Sequence, residues 1–218
     1  MTILYARGKN MKWNLNKIEF LYPPDNFIGS FINEKMQARH KALQDEKINT
    51  ILANLAAAED PLTAMQTLNP LDHIQFLLNN IEEFKKQRCL EETVLKLYRK
   101  ENSAFSSGGP FDTWNRLFLH CDAQRFYQMG APFPEGEIPA FRGSIAGLKK
   151  GFCWTINKKT ADWFLERWED KEQGGGTVFS TRITDKDVLI FFKDKERAEL
   201  IVSPQFLETA EIKIIEKH

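Results

Sequence analysis

The chain has 218 residues, of which 42% are hydrophobic and 12% aromatic, enough for one large domain or two small ones with a buried core. Its 30 basic and 30 acidic residues cancel, so no global field indicates a nucleic-acid or membrane partner. The three cysteines and four histidines show neither a Cys-x-x-Cys pair nor ligand spacing, which argues against a disulfide framework and against a metal site.

The N-terminal residues and the cysteines also bear on the compartment. Residues 1–20 contain four basic residues without the apolar run that follows them in a signal peptide. No segment reaches the ~18 consecutive apolar residues of a membrane span. We therefore expect a protein of a reducing cytoplasm with no membrane partner.

Apolar residues recur at helical spacing through the first half of the chain. Pro70 lies at the entry of the third stripe, where proline is tolerated, and Asp112 is expected to cap the fifth. A loop rich in Ser and Gly, at 103–110, lies between the fourth and fifth stripes. The stripes predict helices at 27–36, 48–58, 71–87, 90–98 and 111–129.

The character of the sequence changes after a loop at 130–139 that is rich in Gly, Pro and Glu. Short runs rich in Val, Ile, Phe and Thr follow, with one helix among them at 158–168 that Asn157 is expected to cap. The layout predicts an α+β protein, with a helical N-terminal domain over 1–105 and a second domain over 106–218. The runs predict strands at 140–143, 151–155, 177–183, 187–192, 198–202 and 210–215.

Two features of the first strands suggest a binding site. Arg142 ends a strand-like run, where its planar fork suits phosphate or ribose oxygens, and Gly143 would let a ligand approach the backbone; the alternative is a surface arginine at a turn. The run 151–155 is an aromatic strand that ends in a hydroxyl. Trp154 there can stack on a flat ring, unless it and Phe152 are core residues.

Two more features lie further along. The three glycines at 174–176 fit neither a Walker loop nor a dinucleotide fingerprint, so we interpret them as a connector that can move over a site. Glu199 begins an apolar strand. Its carboxylate either faces solvent at the strand edge or points into a cleft that tunes it.

The order of these features is more specific than any one of them. A strand ending in Arg-Gly is followed by Gly-Phe-Cys-Trp-Thr, a helix containing Thr-Ala-Asp-Trp-Phe, a glycine loop, and Glu-Leu-Ile-Val-Ser-Pro. This combination resembles the ADP-ribosyltransferase superfamily, and especially the small ADP-ribosyltransferase-like domains of phage and prophage proteins, over roughly residues 112–216. The resemblance implies a small split-sheet domain that takes NAD as its substrate, in the cytoplasm of a bacterial host if the chain is phage-derived.

The resemblance implies a role for each matching residue. Cleavage of the nicotinamide–ribose bond builds positive charge on the ribose, and Glu199 matches the glutamate that stabilises this charge. Arg142 matches the arginine that holds a phosphate or the ribose of NAD, while Gly143 leaves backbone groups free for the nicotinamide amide. Cys153 and Thr155 match a Ser-x-Ser/Thr pair whose hydroxyl orients the glutamate. The implied NAD-binding set also includes the aromatic residues Phe152, Trp154 and Phe164. Of these, Trp154 or Phe152 would help to form a wall of the nicotinamide pocket.

The sequence departs from the family pattern at two positions. Cys153 replaces the first serine, and because a thiol is the weaker hydrogen-bond donor, Thr155 is the expected brace on Glu199. Arg197 stands where arginine-modifying transferases carry Glu, so arginine is not the expected acceptor.

The sequence is compatible with three functions. The first is an ADP-ribosyltransferase that modifies a protein or nucleic acid. The second is an NAD glycohydrolase, which uses the same residues with water as acceptor. The third is a non-catalytic binding or inhibitor protein on the same fold, in which the helical N-terminal domain would act.

Overall fold

The computed structural model describes residues 11–26, 33–100, 111–145, 147–168, 176–193 and 198–217. The chain divides into two compact units, Met1–Gly108 and Gly109–His218, here called the N-terminal and C-terminal units. Most of the predicted helix at 27–36, the predicted loop at 103–110 and most of the glycine connector at 174–176 lie outside the described residues.

Five α-helices lie in the described part of the N-terminal unit, with a short 3-10 helix, Pro70–Asp72, directly before the third of them. Asn33 and Asp60 cap the first two, each accepting a hydrogen bond from a backbone N–H of the first turn. The helix predicted at 48–58 is the second half of a longer one, and the helix predicted at 71–87 is broken at Asn80. The helices are α1 (Glu34–Ala57), α2 (Pro61–Gln66), α3 (His73–Asn79), α4 (Ile81–Lys86) and α5 (Leu90–Lys100).

The break has a physical cause in the side chain of Asn80, which is buried. Its Nδ2 donates to the carbonyls of Asn14 and Phe76, at 3.0 and 2.9 Å, and its Oδ1 accepts from the Asn14 N–H at 2.8 Å. A side chain that bonds backbone groups in this way competes with the regular helix ladder. The hydrogen bonds also tie the segment 11–26 to the helices.

A second buried polar group secures the same segment. Asp72, 2% exposed, accepts hydrogen bonds from the N–H groups of Glu19 and Phe20 and from the Tyr22 hydroxyl at 2.6 Å. Burial, followed by the bond to Asp72 and the charge of that carboxylate, raises the pKa of the Tyr22 phenol well above its ordinary value. Around these polar groups the core is apolar and aromatic: Leu55, Phe76, Leu77, Phe84, Leu90 and Val94.

The C-terminal unit combines helices with a sheet, which confirms the α+β class. The helix predicted at 111–129 is interrupted because Asp122 caps a new helix by accepting from the Arg125 N–H. Asp112 lies within the first turn of the preceding helix rather than capping it. The elements are α6 (Phe111–His120), α7 (Ala123–Gln128), β1 (Ile138–Ser144), β2 (Cys153–Thr155), α8 (Lys158–Trp168), β3 (Thr177–Ile183), β4 (Val188–Phe192), β5 (Glu199–Val202), α9 (Pro204–Thr209) and β6 (Lys213–Lys217).

The sheet is antiparallel and runs in the order β4-β5-β2-β1-β3-β6. Its two central strands, β1 and β2, are registered at a single pair, Phe141 with Thr155. By contrast, β1 and β3 are registered along seven pairs from Ile138 to Ser144. The halves β4-β5-β2 and β1-β3-β6 are therefore joined narrowly, at the centre of the sheet.

Helix α8 covers one face of β1 and β3. Ala161 and Leu165 pack on Val178, and Phe141 adds to this cluster. Gly143 makes the close approach possible, since a Cβ there would lie 2.5 Å from the Ala161 carbonyl oxygen. Full burial of a leucine side chain such as Leu165 contributes about 2 kcal/mol, so the contact anchors α8 next to the β1–β2 junction.

Candidate functional site

The register of β2 and β5 brings Thr155 and Glu199 together. The two residues are direct partners across the antiparallel pair, so their side chains leave the same face of the sheet. Glu199 is half-buried and Thr155 is 4% exposed. The Thr155 hydroxyl accepts a hydrogen bond from the Asn157 N–H at 3.0 Å. Asn157 caps α8 in turn by accepting from the Lys159 N–H, so the strand end and the helix start hold each other.

Arg142 lies on β1 and reaches across the narrow junction to β2. Its Nη1 donates to the carbonyl oxygen of Cys153 at 3.0 Å. Its Nε is buried and has no acceptor among the residues that the structure describes. The guanidinium is thus held by the backbone of the neighbouring strand and still has donor capacity for an oxygen-rich ligand.

Cys153 lies between these groups and is exposed to solvent. Desolvation by the surrounding protein is nevertheless the main reason that its pKa is raised to about 11; the charge of Glu199 adds to the rise and that of Arg142 opposes it. Arg142 is bonded to the Cys153 carbonyl, and Thr155, two residues further along β2, is paired with Glu199. Because Phe141 is the partner of Thr155, the Arg142 side chain leaves β1 on the face opposite Thr155 and Glu199 and reaches β2 across the narrow junction. The four residues Arg142, Cys153, Thr155 and Glu199 are here called the site cluster.

The backbone is strained directly before Glu199. Ala198 has a φ of +41°, a conformation that residues with a side chain rarely adopt. Its carbonyl oxygen accepts from the Ile156 N–H at 3.3 Å, which joins the end of β2 to the start of β5. Nothing in the sequence marks this alanine, and strain of this kind often accompanies functional sites.

Trp154, within β2, and Phe152, directly before it, are packed in the core. Trp154 is 1% exposed and its Nε1 donates to the Gly151 carbonyl at 2.7 Å. Phe152, 4% exposed, stacks on Phe111 with ring centroids 4.6 Å apart and meets the edge of Phe118. Neither ring presents an open face to solvent, which matches the core alternative raised for this pair rather than an open pocket wall.

The two remaining candidates belong to the α8 contact. Gly143 faces α8, so its missing side chain serves helix packing. Phe164 is half-buried on α8, with no aromatic ring contact among the described residues. Arg197, which bears on the choice of acceptor, lies outside the described part of the chain.

The described residues contain neither a cluster of metal ligands nor a membrane-spanning helix. No group of three or more His, Cys, Asp or Glu side chains there could hold a metal ion. None of the described helices has the length and apolar character to cross a membrane.

Comparisons with known proteins found no relative. No family model matches the chain, and no curated protein or solved structure does either. Any assignment of function therefore rests on the residues of the site cluster and on the elements that position them.

Proposed function

We propose that the C-terminal unit binds NAD as a substrate and transfers its ADP-ribose to a macromolecular acceptor, with release of nicotinamide. The observation that carries this proposal is the site cluster itself. Glu199 on β5 is the partner of Thr155 on β2. The Arg142 guanidinium donates to the carbonyl of Cys153, which lies two residues before Thr155 on the same strand. The narrow junction between β1 and β2 also supports an ADP-ribosyltransferase-like split sheet.

Glu199 is the proposed catalytic residue. As the nicotinamide–ribose bond breaks, positive charge develops on the ribose, and a carboxylate close to the ribose stabilises it. The same carboxylate can accept a proton from the incoming nucleophile. The thiol of Cys153 adds no second negative charge beside Glu199 near neutral pH, because its pKa is about 11.

Arg142 is the proposed anchor for the substrate. A guanidinium donates in a fixed plane and pairs well with phosphate or ribose oxygens. One of its nitrogens is used by the protein and its buried Nε has no acceptor in the described residues, so the group fits an oxygen-rich ligand. Thr155 is the proposed brace at the base of Glu199, because the two are partners in the sheet.

The acceptor is the part of the proposal that the site cluster constrains least. A protein or nucleic acid as acceptor makes the protein a transferase, and water makes it a glycohydrolase with the same residues. Arg197, two residues before Glu199, is the reason that we do not propose an arginine acceptor.

The direct test is release of nicotinamide from NAD by the purified protein. Wild-type protein should release it. Glu199→Gln should abolish release while the far-UV circular dichroism stays unchanged, since it removes the charge and keeps the shape. Glu208→Gln, an exposed position of α9 in the same unit, is the matched control and should keep full activity.

Two further readouts decide the proposal and the acceptor. Wild-type protein that neither binds nor consumes NAD would contradict the proposal. Incubation of labelled NAD with a cell lysate then shows whether the label reaches protein or nucleic acid, as a transferase requires, or neither, as a glycohydrolase requires.

A further inference from the structure

Gly151 lies directly against the guanidinium of Arg142. A Cβ placed on Gly151 would lie 2.2 Å from the Cζ of Arg142, 2.4 Å from Nη2 and 2.6 Å from Nε. These distances are far shorter than van der Waals contact. Gly151 is not among the glycines of positive φ, so its backbone alone would accept alanine. The guanidinium is therefore what requires a glycine at this position.

The segment that receives the guanidinium is itself fixed. The Gly151 carbonyl accepts from the buried indole of Trp154 at 2.7 Å, and the Phe152 carbonyl accepts from the Val202 N–H at 2.9 Å. The third successive carbonyl, that of Cys153, accepts from Arg142. Two of the three carbonyls thus hold the segment to the core and to β5, and the third holds the arginine.

We propose that Gly151 is a positioning residue. Its missing side chain lets the Arg142 guanidinium lie against the backbone just before β2 and so keeps the guanidinium donors at the site cluster. Its effect on NAD rests on the proposed function; its effect on Arg142 does not. The three atoms nearest to an alanine Cβ at this position all belong to the guanidinium of Arg142, a flexible side chain that can move. Gly151→Ala should therefore leave the fold intact and displace the guanidinium.

The thiol of Cys153 reports this displacement without NAD. Arg142 lowers the pKa of Cys153, so moving the guanidinium away raises it. In a background where Cys89 and Cys121 are serine, Gly151→Ala should slow iodoacetamide alkylation at pH 9 by about threefold, because a smaller fraction of the thiol is then ionised. Arg142→Ala should slow it as much or more.

The double variant separates positioning from a general effect. Once Arg142→Ala has removed the guanidinium, adding Gly151→Ala should change the alkylation rate no further. An unchanged rate in the Gly151→Ala single variant would overturn the inference. So would an equal additional loss in the double variant, because Gly151 would then act without Arg142.

Turnover supplies the second arm. If wild-type protein cleaves NAD, Gly151→Ala should raise KM by about tenfold and change kcat little, as loss of a ground-state anchor does; an unchanged KM would overturn the inference. If wild-type protein does not cleave NAD, the proposed function fails, and the thiol arm alone decides the inference. Should Gly151→Ala not fold, rescue of folding by Arg142→Ala supports the contact, and failure of rescue contradicts it.

Discussion

At the scale of single residues, the least expected feature is Ala198. Its φ of +41° places a side chain in the left-handed region, at a cost of about 1–2 kcal/mol relative to ordinary backbone. Ala198 directly precedes Glu199, which is the first residue of β5. The hydrogen bond from the Ile156 N–H to the Ala198 carbonyl joins this residue to the end of β2. The strained residue therefore lies directly before the proposed catalytic carboxylate, at the start of β5.

We predict that Ala198→Gly raises the free energy of unfolding by about 0.5–1 kcal/mol, because glycine has no Cβ to strain and this gain exceeds its greater freedom in the unfolded chain. Urea unfolding measures the change. Ala210→Gly is the control: Ala210 has an ordinary φ of −61°, so glycine there should lower stability. A loss of stability at both positions would show that the backbone at Ala198 is not strained.

The sequence was informative for some residues of the site and silent for others. Arg142, Cys153, Thr155 and Glu199 stand out by their chemistry at strand ends, and in the structure Arg142 is bonded to the Cys153 carbonyl while Thr155 is paired with Glu199. Ala198 does not stand out, because its backbone conformation is imposed by contacts between distant segments. Trp154 stood out as a candidate for stacking, yet burial and the bond to Gly151 place it in the core, which an aromatic residue cannot reveal by its type.

At the scale of elements, regular strands and an isolated helix were predictable. The strand Thr177–Ile183 and the helix Lys158–Trp168 were predicted with the bounds that the structure shows. Their periodicity is local and uninterrupted. The helices predicted at 71–87 and 111–129 were too long, because Asn80 and Asp122 end the regular ladder with side-chain hydrogen bonds. A periodic apolar stripe continues through such a break and hides it.

The break at Asn80 predicts a measurable contribution to stability. Asn80→Ala removes three hydrogen bonds and leaves the Asn14 N–H and C=O without their partner. We expect the free energy of unfolding to fall by about 1–3 kcal/mol. The urea midpoint should fall with an unchanged slope. Gln37→Ala, on an exposed turn of α1, is the control and should change stability by no more than about 0.5 kcal/mol. An equal effect of the two substitutions would contradict the role given to Asn80.

At the scale of the whole molecule, the α+β class followed from composition and pattern, but the sheet order did not. Phe141, Thr155 and Glu199 are consecutive across the sheet although they are 14 and 44 residues apart in the chain. Strand order depends on which long-range pairings bury the most apolar surface, and no local pattern encodes that. The site is thus assembled at the centre of a sheet from segments whose proximity only the fold establishes.

The division into two units leads to the last prediction. The site cluster, and each contact described for it, lies within Gly109–His218. This unit has its own buried core, which includes Phe118, Leu165 and Ile190. Residues 109–218 produced alone should therefore unfold cooperatively and release nicotinamide from NAD at the rate of the full chain, with Glu199→Gln in the short chain as the inactive control.

The same experiment shows whether the N-terminal unit is needed to recognise the acceptor. If the short chain releases nicotinamide but no longer labels the acceptor that the full chain labels, the helical unit recognises the acceptor. If it labels the acceptor as well, the helical unit is dispensable for transfer. A short chain that folds but fails to release nicotinamide, while the full chain succeeds, would contradict the prediction, because the N-terminal unit would then have to supply part of the site.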